Sequence, residues 1–247
     1  MVVIKQIIAG NWKMNLTLSQ GQGFVETLLS KIAGKELSRE LLLAPNFTLL
    51  SDLVQRCAGS AVSLAAQNCA FQEVGAFTGE TSVAMLKDIG VGSVLVGHSE
   101  RRQIFGESDE LLQKKVKAVV GGGLIPILCV GESLNQRQGG EAFAVVIKQL
   151  RSALAEFSGS QLIVAYEPVW AIGSGRTATP EDARTMHAHI REFLVSQFSW
   201  GAQVPILYGG SAKPENAAEL LSQPDVNGLL VGGAALEPES FLQIALA

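Results

Sequence analysis

With 47% hydrophobic and only 17% charged side chains in 247 residues, the chain can bury a large core, and its length admits either two domains or one α/β barrel of about 200–250 residues. Its 19 basic and 23 acidic residues leave a formal charge of −4, so no basic face is available for nucleic acid. No apolar run reaches the ~18 residues of a membrane helix, and Met1-Val2-Val3-Ile4-Lys5 lacks the apolar core of a signal peptide. The expectation is a cytoplasmic protein that engages neither nucleic acid nor a membrane.

Short apolar runs recur along the chain at Ile4–Ala9, Leu41–Ala44, Val62–Ala66, Ser93–Val96, Ile125–Val130, Leu162–Tyr166, Val204–Tyr208 and Gly228–Val231. Between most of them lie stretches of helical periodicity. In Ser108–Val120 the pattern is carried by Leu111, Leu112, Lys115, Val116 and Val119; in Glu141–Phe157 by Phe143, Val146, Ile147, Leu150 and Leu154. Thr179-Pro180-Glu181-Asp182 supplies an N-cap, a first-turn proline and acidic residues where a helix dipole favours them. Lys213-Pro214-Glu215-Asn216 opens another helix, and Gly121-Gly122-Gly123 closes one. Strand alternating with helix means parallel pairing through right-handed crossovers. Eight such units without a composition shift or linker predict a single (β/α)8 barrel over residues 1–247, with an open doubly wound sheet as the alternative.

In such a barrel, reactive groups gather where the strands end. Asn11 and Lys13 follow the first run, Asn46 the second, Gln67 and Asn68 the third, and His98 the fourth. Glu167 follows the sixth, Gly209-Gly210-Ser211 the seventh and Gly232-Gly233 the eighth. Pro168 restricts Glu167 to extended backbone, and the segment beyond it, with Gly173 and Gly175, has the make-up of a lid. A carboxylate under a lid is a candidate general base. Glycines after the last two strands let backbone N–H groups approach a phosphate, and Lys13 adds positive charge in an acidic protein. His98 precedes a short helical turn whose dipole opposes a charged ring, favouring neutral imidazole. Glu100 is read as the partner of Lys13 or of a nearby arginine. Cys57, Cys69 and Cys129 have neither disulfide nor metal-ligand spacing, and His187 and His189 face different ways on one helix, so no metal site is expected.

Four motifs resemble those of the triosephosphate isomerase family: Ala9-Gly10-Asn11-Trp12-Lys13-Met14-Asn15, Gly97-His98-Ser99-Glu100-Arg101-Arg102, Tyr166-Glu167-Pro168-Val169-Trp170-Ala171-Ile172-Gly173, and Tyr208-Gly209-Gly210-Ser211. Their order and spacing extend from residue 7 to about residue 236. The resemblance implies interconversion of dihydroxyacetone phosphate and glyceraldehyde 3-phosphate, in glycolysis and gluconeogenesis, with no metal or organic cofactor. It makes Glu167 the base and His98 the hydrogen-bond donor, with Asn11 and Lys13 completing a cradle for the enediolate. Ser211, Gly173, Gly232 and Gly233 become phosphate donors, Gly173 only when the lid closes. It also implies a homodimer through the Phe71–Thr81 loop. Ser174 and Arg176 stand where the family's lid commonly has Thr and Lys, and Thr81 replaces an aliphatic residue. A Lys13-dependent aldolase and a non-catalytic sugar-phosphate-binding barrel are the competing readings; the second is expected to lose Glu167 or His98, and both are present.

Overall fold

The computed structural model describes residues 4–172 and 178–247. In chain order these form β1 (Ile7–Asn11), α1 (Leu18–Ile32), β2 (Glu40–Ala44), α2 (Phe47–Cys57), β3 (Val62–Ala66) and α3 (Val83–Asp88). There follow β4 (Ser93–Val96), α4 (Ser99–Ile104), α5 (Asp109–Gly121), β5 (Ile125–Val130), α6 (Leu134–Gln138) and α7 (Ala142–Ala153). The remainder comprises β6 (Ile163–Tyr166), α8 (Pro180–Gln197), β7 (Ile206–Tyr208), α9 (Pro214–Leu221), β8 (Gly228–Val231) and α10 (Pro238–Leu246). The strands close into a parallel barrel in sequence order, β8 returning to pair with β1. The open-sheet alternative is thereby excluded.

Alternation of side chains along each strand separates two cores. Ile7, Ala9, Leu42, Ala44, Ala65, Leu95, Ile127, Cys129, Ile163, Ala165, Leu207 and Leu230 fill the barrel, while Ile8, Leu41, Leu43, Val94, Val96, Val164 and Val231 pack outward against the helices. Because the period is two, the inward set continues to Asn11 at the end of β1 and, past the ends of their strands, to Gln67, Glu167, Gly209 and Gly232. Barrel closure and strand parity together bring side chains from distant parts of the sequence to one mouth.

Helix boundaries follow their caps. Ser108 accepts the Leu111 N–H at 3.3 Å to open α5. Thr179 is the N-cap that the sequence anticipates ahead of Pro180, and it exchanges hydrogen bonds with Asp182 in a capping box. Several expectations shift: β6 begins at Ile163 rather than Leu162, and β7 at Ile206 rather than Val204. The first strand begins at Ile7 rather than Ile4 and runs to Asn11, so Asn11 belongs to the strand. Helix α7 ends at Ala153, short of Phe157, where the chain turns toward Ser158-Gly159-Ser160. Phe143, read as part of its apolar face, is exposed and meets the His189 ring edge-on at 3.9 Å between centroids.

His187 on α8 is wholly buried near the rings of Tyr166 and Tyr208, and its Nδ1–H donates to the Asp225 carbonyl at 2.9 Å. Burial opposes a charged ring and outweighs that hydrogen bond, pushing the pKa down from 6.5 to about 4. Between these values the unfolded chain binds a proton that the folded protein excludes, so stability falls as pH drops from 6.5 toward 4. Urea unfolding across this window should therefore show a shallower pH slope for His187→Asn, by up to about 1.4 kcal/mol per pH unit. Equal slopes would show that His187 is not the source.

Candidate active site

A cavity of about 450 Å3 opens at the carboxyl ends of the strands, and its walls include Asn11, Lys13, His98, Glu167, Ser211, Gly232 and Gly233. The sequence-derived candidates for catalysis and phosphate binding among the described positions thus meet in one place. Gly173 lies outside the described residues, as do Ser174, Gly175, Arg176 and Thr177. Asn46 and Asn68, which also end strands, are used elsewhere. Asn46 caps α2 by accepting the Thr48 N–H at 3.1 Å, and Asn68 accepts from the buried Lys115 Nζ at 2.7 Å.

Glu167 follows β6 and is only 2% exposed. One carboxylate oxygen accepts the Ser99 N–H at 2.7 Å, and the other lies 2.9 Å from His98 Nε2. His98 caps α4, and its Nδ1 accepts the Glu100 N–H at 3.2 Å. With Nδ1 used as an acceptor, the neutral ring carries its proton on Nε2, aimed at Glu167. This turn follows Gly97, whose φ of +74° redirects the chain; an added Cβ there would also meet Leu112 at 2.8 Å. The expected bias of His98 toward the neutral form is corrected by its neighbour. Burial lowers its pKa, but the charge and hydrogen bond of Glu167 outweigh burial and raise it above 6.5.

Lys13 adopts φ +52°, rare for a residue with a side chain. Three contacts hold it there. Its N–H donates to Asn11 Oδ1 at 3.0 Å, its carbonyl accepts from Gln67 Nε2 at 2.9 Å, and its ammonium meets Glu100 Oε1 at 2.6 Å. Gln67 also binds the Ala44 carbonyl at 2.8 Å, tying the ends of three strands together. An added Cβ on Gly232 would lie 3.5 Å from Lys13 Cε, so the lysine stem passes beside the glycine pair. Around Gly233 an added Cβ would meet nothing within 4 Å, leaving backbone open to an anion. The expected Lys13–Glu100 partnership is present.

The sequence reading attached no reactive group to the end of β5, and the structure supplies several there. Glu132 is fully buried; its Oε1 accepts from Tyr166 Oη at 3.1 Å, Trp170 Nε1 at 2.8 Å and Arg137 at 3.2 Å. Its carbonyl accepts the Val169 N–H at 3.2 Å, so it anchors the chain just beyond Glu167. Arg137 also pairs with Asp182 and lies over the Trp170 ring at 4.6 Å. The signal available in sequence was a polar residue following the apolar run Ile125–Val130, as at the other strand ends. Among the described residues, no three His, Cys, Asp or Glu side chains converge to hold a metal, and no helix is long and apolar enough to cross a membrane.

A buried carboxylate, an imidazole N–H, a lysine and glycine backbone on one barrel mouth have the chemistry to move a proton next to the carbonyl of a phosphorylated substrate. Comparison with known proteins agrees. Residues 6–247 match the family model for triosephosphate isomerase. The triosephosphate isomerase of Endomicrobium trichonymphae is 46% identical over 244 residues, covering 97% of each chain. That of Aquifex aeolicus is 47% identical over 245 residues, covering 98% of each. The crystal structure of triosephosphate isomerase from Bartonella henselae superposes with a TM-score of 0.89 at 41% identity, covering 98% of each chain. The chain belongs to the triosephosphate isomerase family.

Proposed function

We propose that the protein interconverts dihydroxyacetone phosphate and glyceraldehyde 3-phosphate by proton transfer through an enediolate. The observation that carries this reading is the convergence of Glu167, His98, Lys13 and Asn11 with the glycines after β7 and β8 on one cavity. Phosphate is assigned to backbone donors near Ser211, Gly232 and Gly233, with Gly173 retained from the sequence reading as a further donor. Lys13, beside Gly232, faces the negative charge of the substrate.

The roles follow from competition for one proton donor. His98 Nε2–H is directed at Glu167, and it cannot serve the substrate carbonyl at the same time. Substrate entry therefore exchanges acceptors: the carbonyl oxygen takes His98 Nε2–H, and Glu167 turns from its site at Ser99 toward the substrate carbon. Glu167 removes a proton from the hydroxyl-bearing carbon beside the carbonyl and returns it to the former carbonyl carbon, while the hydroxyl proton passes to the former carbonyl oxygen. His98 and Lys13 stabilise the oxygens while they carry the extra charge. An aldolase mechanism is disfavoured, because the Glu100 carboxylate 2.6 Å from Lys13 Nζ favours the charged ammonium over the nucleophilic amine.

The same reading includes a homodimer. Residues 71–81 project from the barrel, their ends joined by Ala70 N–H to Thr81 O at 2.8 Å. Val74 is 81% exposed and Phe77 44%, and Met14, next to Lys13, is 95% exposed. Apolar surface of this kind is the mark of a docking face. The loop leaves β3 just beyond Gln67, which holds Lys13, so assembly and site are connected through the chain. A cytoplasmic location is also part of the proposal, in keeping with Cys57, Cys69 and Cys129 being free and buried.

Glu167→Gln should lower turnover by at least ~10³-fold while inhibition by inorganic phosphate persists, since a general base contributes about 10²–10⁴. Retention of about a tenth of wild-type turnover would remove Glu167 from the role of base. Phe77→Glu should shift sedimentation toward a monomer and depress activity with it. A fully active monomer would break the connection between assembly and site.

A further inference from the structure

The main chain of Glu167 is built against the loop that follows β5. The Glu167 N–H donates to the Val130 carbonyl at 2.8 Å, and a Cβ added to Gly131 would lie 1.8 Å from the Glu167 carbonyl oxygen. Gly131 is therefore the surface on which the base's backbone rests. Both polar groups of Gly131 are taken by one side chain from the outer ring of helices. Gln149 on α7 accepts the Gly131 N–H at 2.8 Å through Oε1 and donates to the Gly131 carbonyl at 3.1 Å through Nε2.

That side chain departs from the rest of its helix face. Helix α7 buries Ala142, Val146, Leu150 and Ala153, while Gln149 is half-buried at the rim. Its amide offers one donor and one acceptor in the spacing that a residue's N–H and C=O require, which a carboxylate or a hydrocarbon cannot match. A second cavity, of about 210 Å3, is lined by Gly131, Gln149, Ser99, Glu167 and Val169. The segment therefore has room to relax if the amide is removed.

We propose that Gln149 is a positioning residue for the isomerisation. By holding Gly131 at both polar groups it fixes the Glu167 backbone, and through it the approach of the carboxylate to the substrate carbon. The proposal rests on the reading of Glu167 as the base. Displacement of a reacting group by ~1 Å can cost ~10²-fold in rate, so a clamp that acts only through place is expected to appear in kcat.

The test compares wild type, Gln149→Leu and Gln149→Glu, each with and without Glu167→Gln, in protein purified from a host lacking its own isomerase. Gln149→Leu should lower kcat about tenfold or more, with KM for glyceraldehyde 3-phosphate and inhibition by inorganic phosphate within about threefold of wild type. Gln149→Glu keeps the acceptor and loses the donor, so its kcat should fall between the two. With Glu167→Gln present, Gln149→Leu should change the residual rate by less than about twofold, because the group that it positions is gone. A folded Gln149→Leu enzyme with kcat within about twofold of wild type overturns the proposal, as does an equal loss in both backgrounds. Should Gln149→Leu not fold, wild-type kcat in Gln149→Glu overturns it in the same way. If Glu167→Gln alone leaves turnover unchanged, the assignment of the base fails first, and the role of Gln149 falls with it.

Discussion

The arrangement of this site depends on how one carboxylate is held. Glu167 is almost wholly buried, and a buried carboxylate without donors is strongly disfavoured. Here one turn of chain provides both donors, the Ser99 amide and the Nε2 of His98. That requirement makes the rims of β4 and β6 a single unit. The turn at Gly97 presents the two donors together, and the hydrogen bond from Glu100 N–H to His98 Nδ1 leaves the other ring nitrogen to face the carboxylate. The resting site thus holds the Glu167 carboxylate against the His98 ring at 2.9 Å.

The same economy of contacts extends away from the chemistry. Lys13 occupies a backbone region that costs free energy, offset by Asn11, Gln67 and Glu100, which come from three different strand ends. Beneath the projecting loop, Glu107 receives Arg101 and Lys115 at 2.6 Å each, and Lys115 also reaches Asn68. Glu107 and Lys115 are almost completely buried, so each depends on the other's charge. Through Asn68 this network fixes the end of β3, next to the Gln67 that secures Lys13. From Arg101 and Lys115 through Asn68 and Gln67, polar contacts run from the helices inward to the strand ends.

Most of the barrel was legible because its two signals are local. Apolar runs of four to six residues mark strands buried on both faces, and caps such as Thr179 with Asp182 mark helix starts without reference to the rest of the fold. Glu167, His98, Lys13 and Asn11 could be found since each closes or follows an apolar run. Asn46 and Asn68 do so too, and nothing local distinguishes a cap or a network partner from a group facing the cavity; that depends on which side chains reach them across the fold. The raised pKa of His98 was hidden for a related reason. The helix terminus is a local feature, whereas the opposing charge comes from a residue 69 positions later. Gln149 lies 18 residues from Gly131 on a helix whose periodicity is satisfied without it, so only coordinates reveal the pairing. Glu132 is likewise silent in the sequence, because its role appears only once Tyr166 and Trp170 are folded onto it.

The central claim is that Glu167 and His98 form one electrostatic unit in the free protein, and the protonation of His98 reads it most directly. Nitrogen-15 shifts of the labelled imidazole, followed against pH in the absence of substrate, should give a midpoint above 6.5 in the wild type. In Glu167→Gln the larger opposing charge is lost, and burial, aided by Lys13, outweighs the weaker pull of Glu100, so the midpoint should fall below 6.5. The same midpoint in both proteins would contradict the account.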